Sequence, residues 1–175
     1  MNNCEEEIYK AISNFSYGLY IVSSREGEKP NGQVANTVFQ TTACPPGIAV
    51  SISKNNLTHV CIANSGLYSV SVLAQDSPMP FIGLFGFRTG RDINKFEKIS
   101  FKTLGGCPAV TEHSLSIATV KVNTAVDMAT HTLFIGAVTA AETLKDGVPL
   151  TYEYYKTVKH GMTQKNATTF TPATK

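Results

Sequence analysis

Small polar side chains crowd both sides of a double proline. Asn36, Thr37, Gln40, Thr41 and Thr42 precede Pro45-Pro46, and Ser51, Ser53, Lys54, Asn55, Asn56 and Thr58 follow it. These residue types suit an anion. In an extended chain alternate residues share a face, so Ser51 and Ser53 point together. Lys54 and a helix start near Thr58 then lie just beyond the strand end. Free backbone N–H groups, a hydroxyl and an ammonium make a cradle for a phosphate. The same residues also make a polar strand end running into a capped helix, since Ser and Thr are ordinary capping residues. Spacing alone leaves both open.

Other chemistries find less support. The chain contains no G-x-S-x-G, no H-E-x-x-H and no P-loop. Cys4, Cys44, Cys61 and Cys107 form no C-x-x-C pair, and His59, His113, His131 and His160 are scattered. No metal site is therefore expected, and the thiols read as reduced and mostly buried. A net charge of +2 with 16% charged residues is too weak a basic bias for nucleic acid or an anionic membrane. No stretch approaches the roughly 18 apolar residues of a membrane span. The start, Met1 to Glu7, lacks the basic and apolar runs of a secretory leader, so a soluble cytoplasmic protein is expected. An apolar fraction of 42% over 175 residues suits one domain, 1–175, with its own core.

The elements that must position the polar residues follow from periodicity. Cys4 to Asn14 reads as a short amphipathic helix with Ile8, Ile12 and Phe15 on one side. Tyr17 to Ser24 reads as a strand, Arg25 to Asn31 as a loop, and Gly32 to Thr42 as a second strand, polar on one face. Pro45-Pro46 breaks the chain before a strand over Gly47 to Ser53. Asn56 to Gly66 is a short helix with Thr58 as its N-cap and Gly66 as its stop. Tyr68 to Ala74 alternates like a strand, and Pro78 to Phe87 suits a helix that starts on proline. A basic stretch, Arg88 to Lys95, follows. Leu115 to Val126 and Thr132 to Ala140 are β-rich runs with so short a link that an antiparallel hairpin is expected. A polar tail from about Thr163 lacks periodicity and reads as extended or partly mobile. Many strands with few helices predict a mainly β, antiparallel barrel with short flanking helices. No G-x-G-x-x-G follows a strand, which argues against a dinucleotide-binding α/β fold.

The run NGQVANTVFQTTACPPGIAVSISKNNLTHVCIANSGLYSVSVL resembles the N-terminal half of the flavin reductase-like FMN-binding domains. FRTGRDINKF is similar to their Gly-Arg-Asp…Lys-Phe segment, and HTLFIGAV to their His-bearing strand. PLTYEYYKTVKHGMTQKNATTF resembles the subgroup of flavoredoxin and of the flavin domain of high-molecular-weight rubredoxins. The likeness runs from about Tyr17 to Phe170. No paired C-x-x-C follows Phe170, which departs from those rubredoxins.

The resemblance implies a six-stranded Greek-key split barrel, usually a homodimer, with FMN near the subunit interface. It implies that Asn36, Thr37, Gln40 and Thr42 line the isoalloxazine and ribityl chain. Ser51, Ser53, Lys54 and Thr58 would hold ribityl and phosphate, and Arg88 and Arg91 would complete phosphate neutralisation. His131, beside the hairpin turn, would approach flavin or nicotinamide, or serve as a structural hydrogen-bonding residue. Of Tyr152, Tyr154 and Tyr155, the last is expected against the flavin. The flavin carries the chemistry, so no protein acid or base is assigned. Two activities fit: an FMN-dependent oxidoreductase passing electrons from NAD(P)H to flavin or a redox protein, and a flavoredoxin-like carrier between rubredoxin or ferredoxin and a terminal reductase.

Overall fold

The computed structural model describes residues 3–171. In chain order its elements are α1 (Asn3–Ile12), β1 (Tyr20–Glu26), β2 (Lys29–Ala35), β3 (Val38–Ala43), β4 (Pro46–Ser53) and α2 (Leu57–Ser65). These are followed by β5 (Leu67–Leu73), α3 (Met79–Phe87), β6 (Phe101–Leu104), β7 (Cys107–Val110), β8 (Ser114–Met128), β9 (His131–Thr143) and α4 (Tyr152–Thr157). Seven strands form one antiparallel sheet in the order β2-β1-β5-β8-β9-β4-β3, and β6 and β7 form a separate hairpin.

That order makes the sheet curl. β2 and β3 lie at opposite ends of the hydrogen-bonded series, yet only Asn36 and Thr37 connect them. So short a link brings the two edges together at one corner, and the sheet rolls into a barrel split between β2 and β3. Val22, Val50, Ile52, Ile62, Tyr68, Val70, Val120 and Phe134 belong to one buried cluster. Within it the Tyr68 hydroxyl donates to the Ile48 carbonyl at 2.7 Å. A second layer gathers Leu19, Ile21, Leu73, Phe81, Ile82, Phe85, Phe96, Val110, Leu150 and Tyr155. Ile21 and Val22 fall in different layers because neighbouring strand residues face opposite ways.

The mainly β architecture matches the sequence expectation, with several corrections. The strand expected over 32–42 is two strands, because the chain turns the barrel corner at Asn36-Thr37; the main sheet therefore has seven strands rather than six. The loop expected over 25–31 is a tight hairpin pairing Glu26 with Lys29, made possible by Gly27 at φ +58°. Gly66 does end α2, with φ +68° and its N–H on the Ile62 carbonyl. Thr58 does not cap it: the N-cap is Asn56, and Thr58 is buried inside the first turn. The long hairpin is present as β8 and β9, with Met128 paired to His131. β6, β7 and α4 have no counterpart in the sequence expectation. Ile8, Ile12 and Phe15 remain exposed. Of the thiols, Cys61 and Cys107 are buried and Cys44 is exposed.

Candidate functional site

Strand alternation sets one wall of a cleft. Asn31, Gln33 and Ala35 share a face of β2. Asn31 lines a cavity of about 570 Å³, Ala35 lines a smaller one of about 50 Å³, and Gln33 lines both. Asn56, Gly86, Phe87, Thr163, Gln164 and Asn166 also belong to both, so the two cavities are ends of one cleft.

The larger end is cationic. Arg88, Arg91, Lys95 and Lys165 line it, together with Asn31 and Thr58, and no carboxylate does. Lys95 is only 5% exposed. Its ammonium donates to the Gly32 carbonyl at 2.8 Å and the Phe85 carbonyl at 3.4 Å, and it pairs with no carboxylate among the described residues. Burial pulls its pKa down to about 8. Asn31 is held by Thr58, whose hydroxyl accepts from Asn31 Nδ2 at 2.8 Å. The loop after α3 approaches closely because residue 90 is glycine: a Cβ there would sit 2.0 Å from Asn31 Oδ1. Arg91 is steadied by the Asn55 carbonyl at 3.2 Å.

The smaller end is apolar with amide edges. Leu19, Val34, Ile82, Tyr152 and Tyr155 line it alongside Asn36, Ser51, Ser53 and Asn56. A strap of residues 161–171, free of helix and strand, closes it. Asn36 Nδ2 donates to Thr169 Oγ1 at 2.7 Å, and Asn166 Nδ2 to Asn56 Oδ1 at 3.0 Å. The Tyr155 hydroxyl donates to the Met162 carbonyl at 3.0 Å, and Tyr152 bonds the hydroxyls of Thr163 and Thr169. Burial raises the Tyr155 pKa, which keeps it a neutral donor. His131 Nε2 donates to the Asn166 carbonyl at 3.2 Å, so this histidine anchors the strap from the barrel side.

Of the residues expected at a site, Asn36, Ser51, Ser53 and Tyr155 meet at the apolar end, and Thr58, Arg88 and Arg91 at the cationic end. Four others line neither cavity. Thr37 turns away at the corner into a hollow with Tyr20 and Phe39. Gln40 and Thr42 lie on β3 beyond the corner, where each is exposed and bonds its own turn, to the carbonyls of Thr42 and Pro45 respectively. Lys54 swings to the β8–β9 turn, 2.6 Å from Asp127 and 3.0 Å from the Ala129 carbonyl. Sequence reasoning missed Asn31, Gln33, Lys95, Tyr152 and Asn166. Asn31 and Gln33 carry a signal, an i, i+2 polar pair leading to Asn36. Lys95 stands in the basic stretch and in the Lys-Phe pair of the family-like segment, but its burial has no local signal, because it depends on α3 packing over β2.

The model of the flavin reductase-like domain matches residues 12–161. The chain belongs to that family. A flavin reductase-like protein is an oxidoreductase that works through a flavin, and the cleft suits one: it pairs a cationic end with an apolar end walled by aromatic rings. The high-molecular-weight rubredoxin of Moorella thermoacetica is 49% identical over 163 residues, 93% of this chain and 71% of that protein. The NAD(P)H-dependent ferric-chelate reductase of Archaeoglobus fulgidus is 45% identical over 162 residues, 92% of this chain and 96% of that protein. The fold is shared with the NADH:FAD oxidoreductase of Streptomyces globisporus, at a TM-score of 0.74 and 17% identity over 84% of this chain and 87% of that one. No helix among the described residues is long and apolar enough to cross a membrane.

Proposed function

We propose that the flavin is FMN and that the protein is an FMN-dependent oxidoreductase taking electrons from NAD(P)H and passing them to flavin or a small redox protein. The observation that carries this is Lys95. A buried ammonium without a carboxylate partner is costly, and a phosphate carrying about −1.5 to −2 charge offsets that cost. The phosphate end would rest on Lys95, Arg88, Arg91, Thr58 and Asn31. The isoalloxazine end would lie toward Ala35, Asn36 and Tyr155. When bound, FMN supplies hydride acceptance and one-electron transfer. The residues supply position and charge: the cations fix the anionic tail, the aromatic wall excludes water, and the amides of Asn36 and Asn56 offer hydrogen bonds at the other end. Gln40, Thr42 and Lys54 fall outside this assignment.

A second role, electron carrier for a rubredoxin or ferredoxin, is favoured by the likeness to a high-molecular-weight rubredoxin. The purified protein distinguishes the two. A yellow protein bleached by NADH or NADPH without oxygen supports the reductase. One bleached only through an added redox protein supports the carrier. A colourless protein with no FMN affinity rejects both. We further propose a homodimer, supported by exposed Phe39 on β3 and exposed Val126 and Met128 at the β8–β9 tip. Sedimentation at a single monomer mass across concentrations would reject it.

A further inference from the structure

We propose that Gln33 is a specificity residue that reads the ribityl chain of the flavin, an inference that rests on the FMN assignment above. Three observations converge on it. Gln33 is the one β2 side chain that lines both ends of the cleft, between Asn31 at the cationic end and Ala35 at the apolar end. Each i, i+2 step along a strand advances roughly 6.6 Å, so Gln33 stands one step from the phosphate donors and one from the ring end. In a flavin mononucleotide the group between phosphate and ring is the ribityl chain, which bears three hydroxyls. Finally, Gln33 Oε1 is sealed from solvent and accepts no hydrogen bond within the described chain.

A buried carbonyl with no donor is unfavourable. Ser23 and Ser71 also carry unpartnered buried oxygens, but of these three residues only Gln33 lines the cleft, where a ligand donor can reach it. A ribityl O–H meets that need, whereas the phosphate carries only acceptors and belongs with the cations. Thr163, Gln164 and Asn166 of the strap border the same two cavities. A ligand reaching the amide therefore enters beneath or in place of these residues, and Gln33 acts where ligand and strap meet. The amide orients the chain between its two ends; it takes no part in electron transfer.

The test compares Gln33→Met, which keeps length and removes the amide, with the unmodified protein. Affinities for FMN, riboflavin and lumiflavin are measured by flavin fluorescence, and the flavin-free proteins are melted in parallel. Lumiflavin has the ring without the ribityl chain. The expected result is an affinity loss of about threefold to tenfold for FMN and riboflavin, no change for lumiflavin, and a melting temperature for the flavin-free variant at or above that of the parent. Equal losses for all three flavins would overturn the proposal, since Gln33 would then touch the ring or only shape the cleft. Unchanged FMN affinity would also overturn it. Failure of the unmodified protein to bind any flavin would instead reject the FMN assignment and the proposal with it. Gln33→Glu adds a check: a carboxylate still accepts from a hydroxyl but repels phosphate, so riboflavin affinity should survive better than FMN affinity.

Discussion

The two ends of the cleft share one strand and differ in what the chain leaves unpaired. At the cationic end, Lys95 is buried with two carbonyls and, among the described residues, no carboxylate, and Arg88 and Arg91 line the same cavity. At the apolar end four side chains are already bonded to the strap: Asn36 to Thr169, Asn56 to Asn166, Tyr152 to Thr163 and Thr169, and Tyr155 to the Met162 carbonyl. The first end presents cations to the cleft, and no carboxylate among the described residues lines it. At the second these four side chains are held by the strap, so a ligand would compete with it there. On the proposed FMN assignment the difference separates affinity from access: electrostatics at one end would fix what binds, and hydrogen bonds at the other would set how easily it enters.

The largest effect should come from removing the unpaired charge. Lys95→Met is expected to weaken FMN by about 30-fold or more, the scale of a buried charge-assisted contact. The flavin-free protein should not lose stability, because a buried ammonium is removed at the same time. Fluorescence titration and urea unfolding measure the two, and an affinity within twofold of the parent would break the contrast between the ends.

The same lysine should make stability and binding respond to pH in opposite senses. Its folded pKa, about 8, lies below the ordinary lysine value of 10.5. Between those values the unfolded chain holds more protons than the folded one, so the contribution of Lys95 makes the flavin-free protein more stable as pH rises. Over the same rise the ammonium needed by phosphate is lost, and FMN affinity should fall while riboflavin affinity changes less. Parallel trends for FMN and riboflavin would show that this charge does not meet phosphate.

A smaller effect belongs to the strap. Tyr152→Phe removes the hydroxyl that bonds Thr163 and Thr169. Backbone amides between Thr163 and Phe170 should exchange hydrogen several-fold faster, roughly the loss of one net hydrogen bond. Amides of β2 should be unaffected, and uniform acceleration would mean that the strap opens only with global unfolding.

The smallest effect is expected at Lys54. Its side chain is partly exposed and paired with Asp127 away from the cleft. Exposed pairs contribute about 0–1 kcal/mol, so Lys54→Ala should change FMN affinity less than about twofold. A tenfold loss by titration would return Lys54 to the phosphate site and extend the cationic end toward the β8–β9 turn.

Much of the candidate cleft is legible in the sequence where the signal is local. Ser51 and Ser53 follow from strand alternation, and Gly66 follows from the need for a left-handed residue after a helix. Arg88 and Arg91 stand in a recognisable basic segment. Gln40 and Thr42 read as continuous with Asn36 in the sequence, whereas the chain turns a corner between them and both lie outside the cleft. Thr58 looked like a cap because it precedes an apolar run, but its hydroxyl is taken by Asn31, 27 residues away in sequence. The polar tail carries no periodicity, and its bonds to Asn36, Asn56 and Tyr152 all span the fold.

By itself the sequence determined the mainly β character, the long hairpin, the Pro-Pro break and the polar strands, because alternation, turn chemistry and helix stops act over a few neighbouring residues. Only the tertiary structure decided that the sheet closes at Asn36-Thr37, that Lys95 is buried without a counter-charge among the described residues, and that Lys54 faces away. Those outcomes depend on which distant backbone meets which side chain, and burial, which sets the cost of a charge, is a property of the assembled fold.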